Sequence, residues 1–296
     1  MTDQGEKSPL SRRNFLWVGG VGLLAAFATA CSPKIGENIR ATEEARLRGS
    51  NTDLEGLDST TSENLTAYTY QLREYFGEEL ISDATAFGLG AVVVDEHTVL
   101  EFYITNTHVI NDNCNSLRIG DEAIFPTNYA LFNASSIEDG QVRDLSVIVV
   151  KKNMTEDISG YKKFFWHSKI STYSPQKGDR VYFRGFQADR GFTAKGEVSS
   201  GLIKGGVEVK GEVTPCQGFE IRSGKIQGGG GSGSAVYKDG KVVASIFSSW
   251  QDGDLMYAVP VADALKRIFI GQGTSGQTIA QMYGLPEERF LPLFEE

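Results

Sequence analysis

Between Phe87 and Val259 the chain is a succession of short apolar runs rich in Val, Ile, Phe and Tyr, separated by turns of Gly, Asn and Asp. GAVVVDEHTVLEFYIT, DLSVIVVKK, DRVYFRGF, GVEVKGEV and KVVASIFSSW are of this kind. Strand-length runs punctuated by turn residues predict an antiparallel all-β sandwich or barrel. No insertions of regular helix length separate them, which disfavours a parallel sheet wound with helices. Helical spacing shows only at the two ends. SENLTAYTYQLREYFGE follows a Ser/Thr cap and predicts an amphipathic helix over 61–79. VADALKRIF (261–269) predicts a helix after the last strand, and SGQTIAQMYGLPEERF (275–290) a second one, broken at Pro286.

The N-terminus has another pattern. Ser11-Arg12-Arg13-Asn14 leads into an uncharged apolar stretch from Phe15 to Ala30, the order of an export signal: basic, then apolar, then small. The paired arginines resemble a twin-arginine signal. The stretch is only about 16 residues, short of the roughly 20 that a membrane-spanning helix needs. Ala28-Thr29-Ala30 fits small-x-small cleavage, and Ala28-Thr29-Ala30-Cys31 also resembles a bacterial lipobox, although Ala28 stands where a large aliphatic residue is usual. Under the second reading Cys31 carries lipid, and the polar stretch after it is a tether. The expected organisation is thus an export signal over 1–30, a tether over 31–60, the helix over 61–79, the β domain over 80–272 and a helical tail over 273–296. The protein would sit in the periplasm or cell envelope, lipid-anchored at Cys31 if the lipobox reading holds.

Composition changes the picture in two ways. The 296 residues are 40% apolar, enough for a packed core, and the formal net charge is -9. Such an acidic chain does not present the basic surface that phosphates require, so nucleic acid is excluded as a partner class, and adhesion to anionic lipid is disfavoured. Beyond Cys31 only Cys114 and Cys216 remain. In an oxidising compartment an even pair is a candidate disulfide, the alternative being two separate thiols.

Chemistry narrows to few residues. There are three histidines. His97 lies in Asp-Glu-His-Thr, a hairpin turn by composition, and His167 follows Phe164-Phe165-Trp166, which suggests an aromatic patch. His108 closes a strand in Ile104-Thr105-Asn106-Thr107-His108-Val109, either as a core histidine or as a general base. Asp144 opens Asp144-Leu145-Ser146-Val147-Ile148, as a turn aspartate or as the acceptor that fixes an imidazole tautomer. Ser232 lies in GGGGSGS (228–234), which reads alone as a flexible connector. The same glycines permit a tight loop whose N–H groups converge on a developing oxyanion. No Lys follows them, so this is not a phosphate-binding loop.

The order His, Asp, Ser, at separations of 36 and 88 residues in an all-β chain, binds these readings together. TNTHV, DLSVIVV and GGSGSAV resemble the three motif blocks of chymotrypsin-like serine peptidases, nearest in style to the bacterial HtrA/Deg group. Phe87-Gly88-Leu89-Gly90-Ala91 and Met256-Tyr257-Ala258-Val259-Pro260 resemble that group's opening and closing strands, so the likeness covers roughly 80–270. The resemblance implies an all-β trypsin-like fold of two six-stranded antiparallel barrels, with the short N-terminal helix and C-terminal helices outside them. It implies His108 as general base and acid, Asp144 as its orienter and Ser232 as nucleophile. The N–H groups of Gly230 and Ser232 would form the oxyanion hole, and Ser249-Trp250 the strand that pairs with substrate. It implies protein or peptide substrates and no metal or organic cofactor. Gly231 stands where digestive enzymes have Asp, so neither activation by a buried new N-terminus nor a PDZ-type extension after residue 270 is expected. Ile226 gives no basis for an Arg or Lys preference. Two other classes remain open: a catalytically inactive surface lipoprotein that uses this fold for binding or assembly, and an esterase with the same triad.

Overall fold

The computed structural model describes residues 57, 59–110, 114–134, 144–155, 158, 164–187, 190–201, 203–209, 212–223, 231–249, 255–271 and 277–295. The signal, Cys31, most of the tether, Gly230 and Trp250 lie outside the described residues. The first sheet contains β1 (Thr69–Phe76), β2 (Glu79–Asp95), β3 (Thr98–Thr105), β4 (Ser116–Ile119), β5 (Glu122–Ile124), β6 (Tyr129–Asn133), β7 (Ser146–Asn153) and β8 (Phe164–Trp166). The second contains β9 (Ile170–Ser171), β10 (Arg180–Gln187), β11 (Arg190–Val198), β12 (Ile203–Val209), β13 (Glu212–Arg222), β14 (Ala235–Lys238), β15 (Lys241–Ser249), β16 (Leu255–Pro260) and β17 (Phe294–Glu295). Helices α1 (Ser59–Ala67), α2 (Ala262–Ile270) and α3 (Ile279–Tyr283) lie outside the sheets.

In the second sheet, antiparallel pairing runs β10, β11, β13, β16, β15, β14 and back to β10, a closed six-stranded barrel. In the first it runs β4, β1, β2, β3, β7, β6, the same wiring, and among the described residues no pairing leads from β6 back to β4. The expectation of two six-stranded antiparallel barrels holds in strand order for both halves, the first being a curled half-barrel. The free edge of β4 pairs with β5, with Leu117 opposite Ile124, and β5 is only three residues long.

Two faces of burial explain the unbroken apolar runs. All eight residues of β3 are buried. Leu100, Phe102 and Ile104 join Val147 and Val149 of β7 in a core shared with Leu265 and Phe269 of α2 and with Tyr237 and Val242 of the second barrel. Tyr103 turns the other way, with Ile148 and Val150, into the interior of the first sheet. The closed barrel is filled by its own cluster, including Phe183, Phe219, Val236, Ile246 and Met256. A strand buried on both faces loses the polar alternation of a solvated sheet. Each large side chain so placed contributes about 1.5–3 kcal/mol by burial. Phe102 centres an aromatic cluster, with ring centroids 5.7 Å from Trp166, 5.4 Å from Phe269 and 6.2 Å from Phe290.

The interior face of β3 also carries Glu101, satisfied by Tyr103 Oη, which donates at 2.7 Å, and by Lys152 Nζ at 2.8 Å. Lys152 also reaches Glu122 at 2.8 Å. Burial alone would lower the Lys152 pKa, but the two carboxylates outweigh it and raise it.

The terminal segments depart from expectation. The helix expected over 61–79 ends at Ala67, and Thr69–Phe76 is the strand β1. Thr, Tyr and Phe suit a strand, and β1 is claimed on both edges by β2 and β4, so tertiary pairing overrides the local helical spacing. The expected helix over 275–290 is reduced to α3, capped by Thr278 and ended by Gly284 in left-handed conformation (φ 62°). The tail then returns as β17, parallel to β9, with Phe294 opposite Ile170.

Candidate active site

His108, Asp144 and Ser232 each lie just outside a strand, where the two barrels meet. His108 sits in a 3-10 turn, Thr107–Val109, directly after β3. Asp144 precedes β7, the antiparallel partner of β3, in which Thr105 faces Ser146. That register brings the two segments together although 36 residues separate them. Asp144 meets His108 twice: Oδ1 accepts the His108 main-chain N–H at 2.7 Å, and Oδ2 lies 2.5 Å from Nδ1. The Asp144 side chain is 6% exposed and that of His108 25%, so the carboxylate is shielded while the ring reaches solvent. Asn106 Nδ2 donates to the Asp144 carbonyl at 2.7 Å. Ser146 Oγ lies 2.6 Å from Asn133 Oδ1 and 2.9 Å from Thr107 Oγ1, bracing the turn from below.

Ser232 comes from the other barrel, in a β-turn closed by the Ser234 N–H donating to Gly231 O at 3.1 Å. The third turn residue, Gly233, has φ 90°, which only glycine adopts without strain. A Cβ there would stand 1.9 Å from Thr85 O and 2.6 Å from Thr105 Oγ1. The turn is held from both barrels. Gly233 N–H donates to Ile246 O of β15 at 2.9 Å, and Thr85 N–H of β2 donates to Ser232 O at 2.9 Å. Thr85 adds two further ties: its carbonyl accepts the Thr105 hydroxyl at 2.8 Å, and its Oγ1 accepts the Phe186 N–H at 2.9 Å.

Two serines flank Gly233, and their surroundings differ. Ser234 is fully buried and donates its hydroxyl proton to Gly231 O at 2.7 Å, which makes it part of the turn's frame. Ser232 is half-buried, and its hydroxyl donates to Phe247 O at 2.9 Å. The Phe247 ring in turn packs on His108, centroids 5.1 Å apart. Thus His108 and Asp144 are engaged, Ser232 and His108 share Phe247 as neighbour, and among the described residues no hydrogen bond joins Ser232 to His108. Neither His108 Nε2 nor Ser232 N–H has a hydrogen-bond partner among the described residues.

The remaining sequence candidates separate clearly. His97 lies in the exposed β2–β3 turn, its N–H donating to Asp95 Oδ1 at 2.9 Å. His167 is stacked on Tyr68, centroids 3.7 Å apart, and burial pulls its pKa down to about 4. Cys114 is a free, half-buried thiol that donates to Ser116 O at 3.0 Å, so the candidate Cys114–Cys216 disulfide is not formed in this structure. Cys114 lies beside β4 of the first sheet, and Cys216 is carried by the β12–β13 hairpin of the second. Ser249 ends β15, and its side chain lies outside the described residues. No group of three or more His, Cys, Asp or Glu that could hold a metal occurs among the described residues. Sequence reasoning missed Thr85, Thr105 and Phe247. Thr85 and Phe247 meet Ser232 through main-chain groups, which leave no mark in residue type.

The wiring and the closed second ring define an all-β, trypsin-like two-barrel fold. No family model and no curated protein matches the sequence. Among solved structures, the chain is similar to the active form of the Rv3671c protease from M. tuberculosis, at 14% identity, over 93% of this chain and 97% of that one, with a TM-score of 0.49. An inactive-form structure of an Rv3671c variant from M. tuberculosis matches at 16% identity over 77% of this chain and 98% of that one, TM-score 0.48. A serine endoprotease from Yersinia pestis matches at 15% identity over 70% and 63%, TM-score 0.43.

Proposed function

We propose that the chain is an exported serine endopeptidase that cleaves protein or peptide substrates through an acyl-enzyme on Ser232. The observation that carries this reading is the double contact of Asp144 with His108. An ionised carboxylate at Nδ1 keeps the ring proton there and leaves Nε2 as the proton acceptor. Ser232 would rotate its hydroxyl from Phe247 O to His108 Nε2. As the Oγ–C bond forms, the proton passes to Nε2. It then goes to the leaving amine as the C–N bond breaks, and water repeats the sequence to release the acid. The N–H groups of Ser232 and Gly230 would hold the oxyanion. The chemistry asks for no metal or organic cofactor.

Export rests on the paired Arg12-Arg13 and the apolar run after them, which suit a periplasmic or envelope protein, with Cys31 as the lipid attachment residue. A fluorophosphonate should label the protein at Ser232, and Ser232→Ala and His108→Ala should each abolish cleavage of an unfolded protein substrate. Labelling at Ser234, or undiminished cleavage by Ser232→Ala, would overturn the assignment. A protein that neither labels nor cleaves, yet binds a partner, would return the fold to the binding-module class.

A further inference from the structure

Phe247 touches both ends of the intended proton path, and the sheet is built locally to put it there. Along β15, Ile246 pairs with Ala258 of β16 and Ser248 with Tyr257, so Phe247 is an extra residue in a β-bulge. A bulge leaves its residue out of the ladder and re-aims its backbone and side chain. Here the carbonyl of the bulged residue accepts the Ser232 hydroxyl proton at 2.9 Å. The residue is 3% exposed, and its ring turns to the imidazole, centroids 5.1 Å apart and planes inclined at 60°. Behind it stands Tyr257, centroid 6.4 Å away and inclined at 73°. The His108 ring is thus confined between a carboxylate at Nδ1 and an aromatic wall.

We propose that Phe247 is a positioning residue of the hydrolytic site: its bulged carbonyl parks the Ser232 hydroxyl at rest, and its ring holds the His108 imidazole against Asp144. The proposal rests on the peptidase reading and deepens it. Planarity matters as well as bulk, because inclined aromatic rings attract through their quadrupoles beyond the area they bury. An aliphatic residue of similar volume fills the space without that contact.

The test compares the full-length wild type with Phe247→Leu, which preserves apolar volume, and with Phe247→Ala, which does not. Turnover of a peptide ester by Phe247→Leu should fall roughly two- to tenfold, the rate equivalent of one aromatic pair, with KM held within about twofold. The downfield proton resonance of His108 Nδ1–H, assigned by its loss in His108→Ala, should broaden or move upfield in Phe247→Leu, and further in Phe247→Ala. A Phe247→Leu variant with wild-type turnover and an unchanged resonance would reduce Phe247 to a space-filler and overturn the proposal. If the wild type neither hydrolyses nor labels, the peptidase reading fails by itself. The resonance then decides the hold on His108: loss in Phe247→Leu sustains it, and retention ends it.

Discussion

Asp144 faces His108 with both carboxylate oxygens, one on the main-chain N–H at 2.7 Å and one at Nδ1 at 2.5 Å. The two contacts do different things. The first fixes where the 3-10 turn sits relative to β7, and the second fixes how the ring lies within that turn. A carboxylate accepts at both places, whereas an amide can accept at only one.

Asp144→Asn should therefore separate fold from chemistry. With the amide oxygen on the His108 N–H, the amide NH2 faces Nδ1 and selects the wrong tautomer, with the proton on Nε2. Peptide hydrolysis should fall by roughly three to four orders of magnitude while the protein stays folded. Kinetics with a chromogenic peptide, alongside a denaturation curve, checks this. An Asn variant within a few-fold of wild type would show that Nδ1 orientation does not limit the reaction.

How much of this was legible in the sequence depends on what holds each residue. The apolar runs announce the strands, and TNTHV and DLSVIVV place His108 and Asp144 at strand ends because one apolar face must stay inside. GGGGSGS alone reads as a connector. Only the fold shows that Gly233 is wedged against Thr85 O. The misread helix over 69–76 has the same origin, since the competing partners β2 and β4 are set by long-range pairing that local spacing does not encode. The half-barrel form of the first sheet depends on which strands pair, and the bulge at Phe247 on the register between β15 and β16. Neither is a property of any single residue.

Thr85 ties three segments together and is fully buried. Its Oγ1 accepts Phe186 N–H from β10, while its N–H holds the Ser232 carbonyl. Thr85→Val keeps the shape and removes the acceptor, leaving that N–H without its partner at a cost of about 1–3 kcal/mol. The urea midpoint should fall accordingly, and fluorophosphonate labelling of Ser232 should slow as β2, whose Thr85 N–H holds the turn, loses its tie to β10. Thr85→Ser, which restores the oxygen, should recover both. Equal midpoints for Val and Thr would show that the Oγ1 contact contributes nothing.

His167 provides the pH dependence. Its ring stacks on Tyr68, has the Phe165 ring at its edge with centroids 4.7 Å apart, and buries Nδ1 without a hydrogen-bond partner among the described residues. Burial pulls its pKa from 6.5 to about 4. Because the folded value lies below the unfolded one, the contribution to stability is complete above pH 6.5. As pH falls, the unfolded chain takes up a proton that the folded chain refuses, and stability drains away down to about pH 4, below which both forms are charged. The full span corresponds to about 3 kcal/mol. His167→Phe keeps an aromatic ring against Tyr68 and removes the titration. Urea denaturation at pH 7 and at pH 4.5 should therefore show a large loss for the wild type and a clearly smaller one for the variant. Lowered carboxylates such as Asp95 and Asp179 titrate at lower pH and do so equally in both proteins, so they cancel in the comparison. Parallel losses in the two proteins would mean that the folded chain accepts the proton on His167 at its ordinary pH.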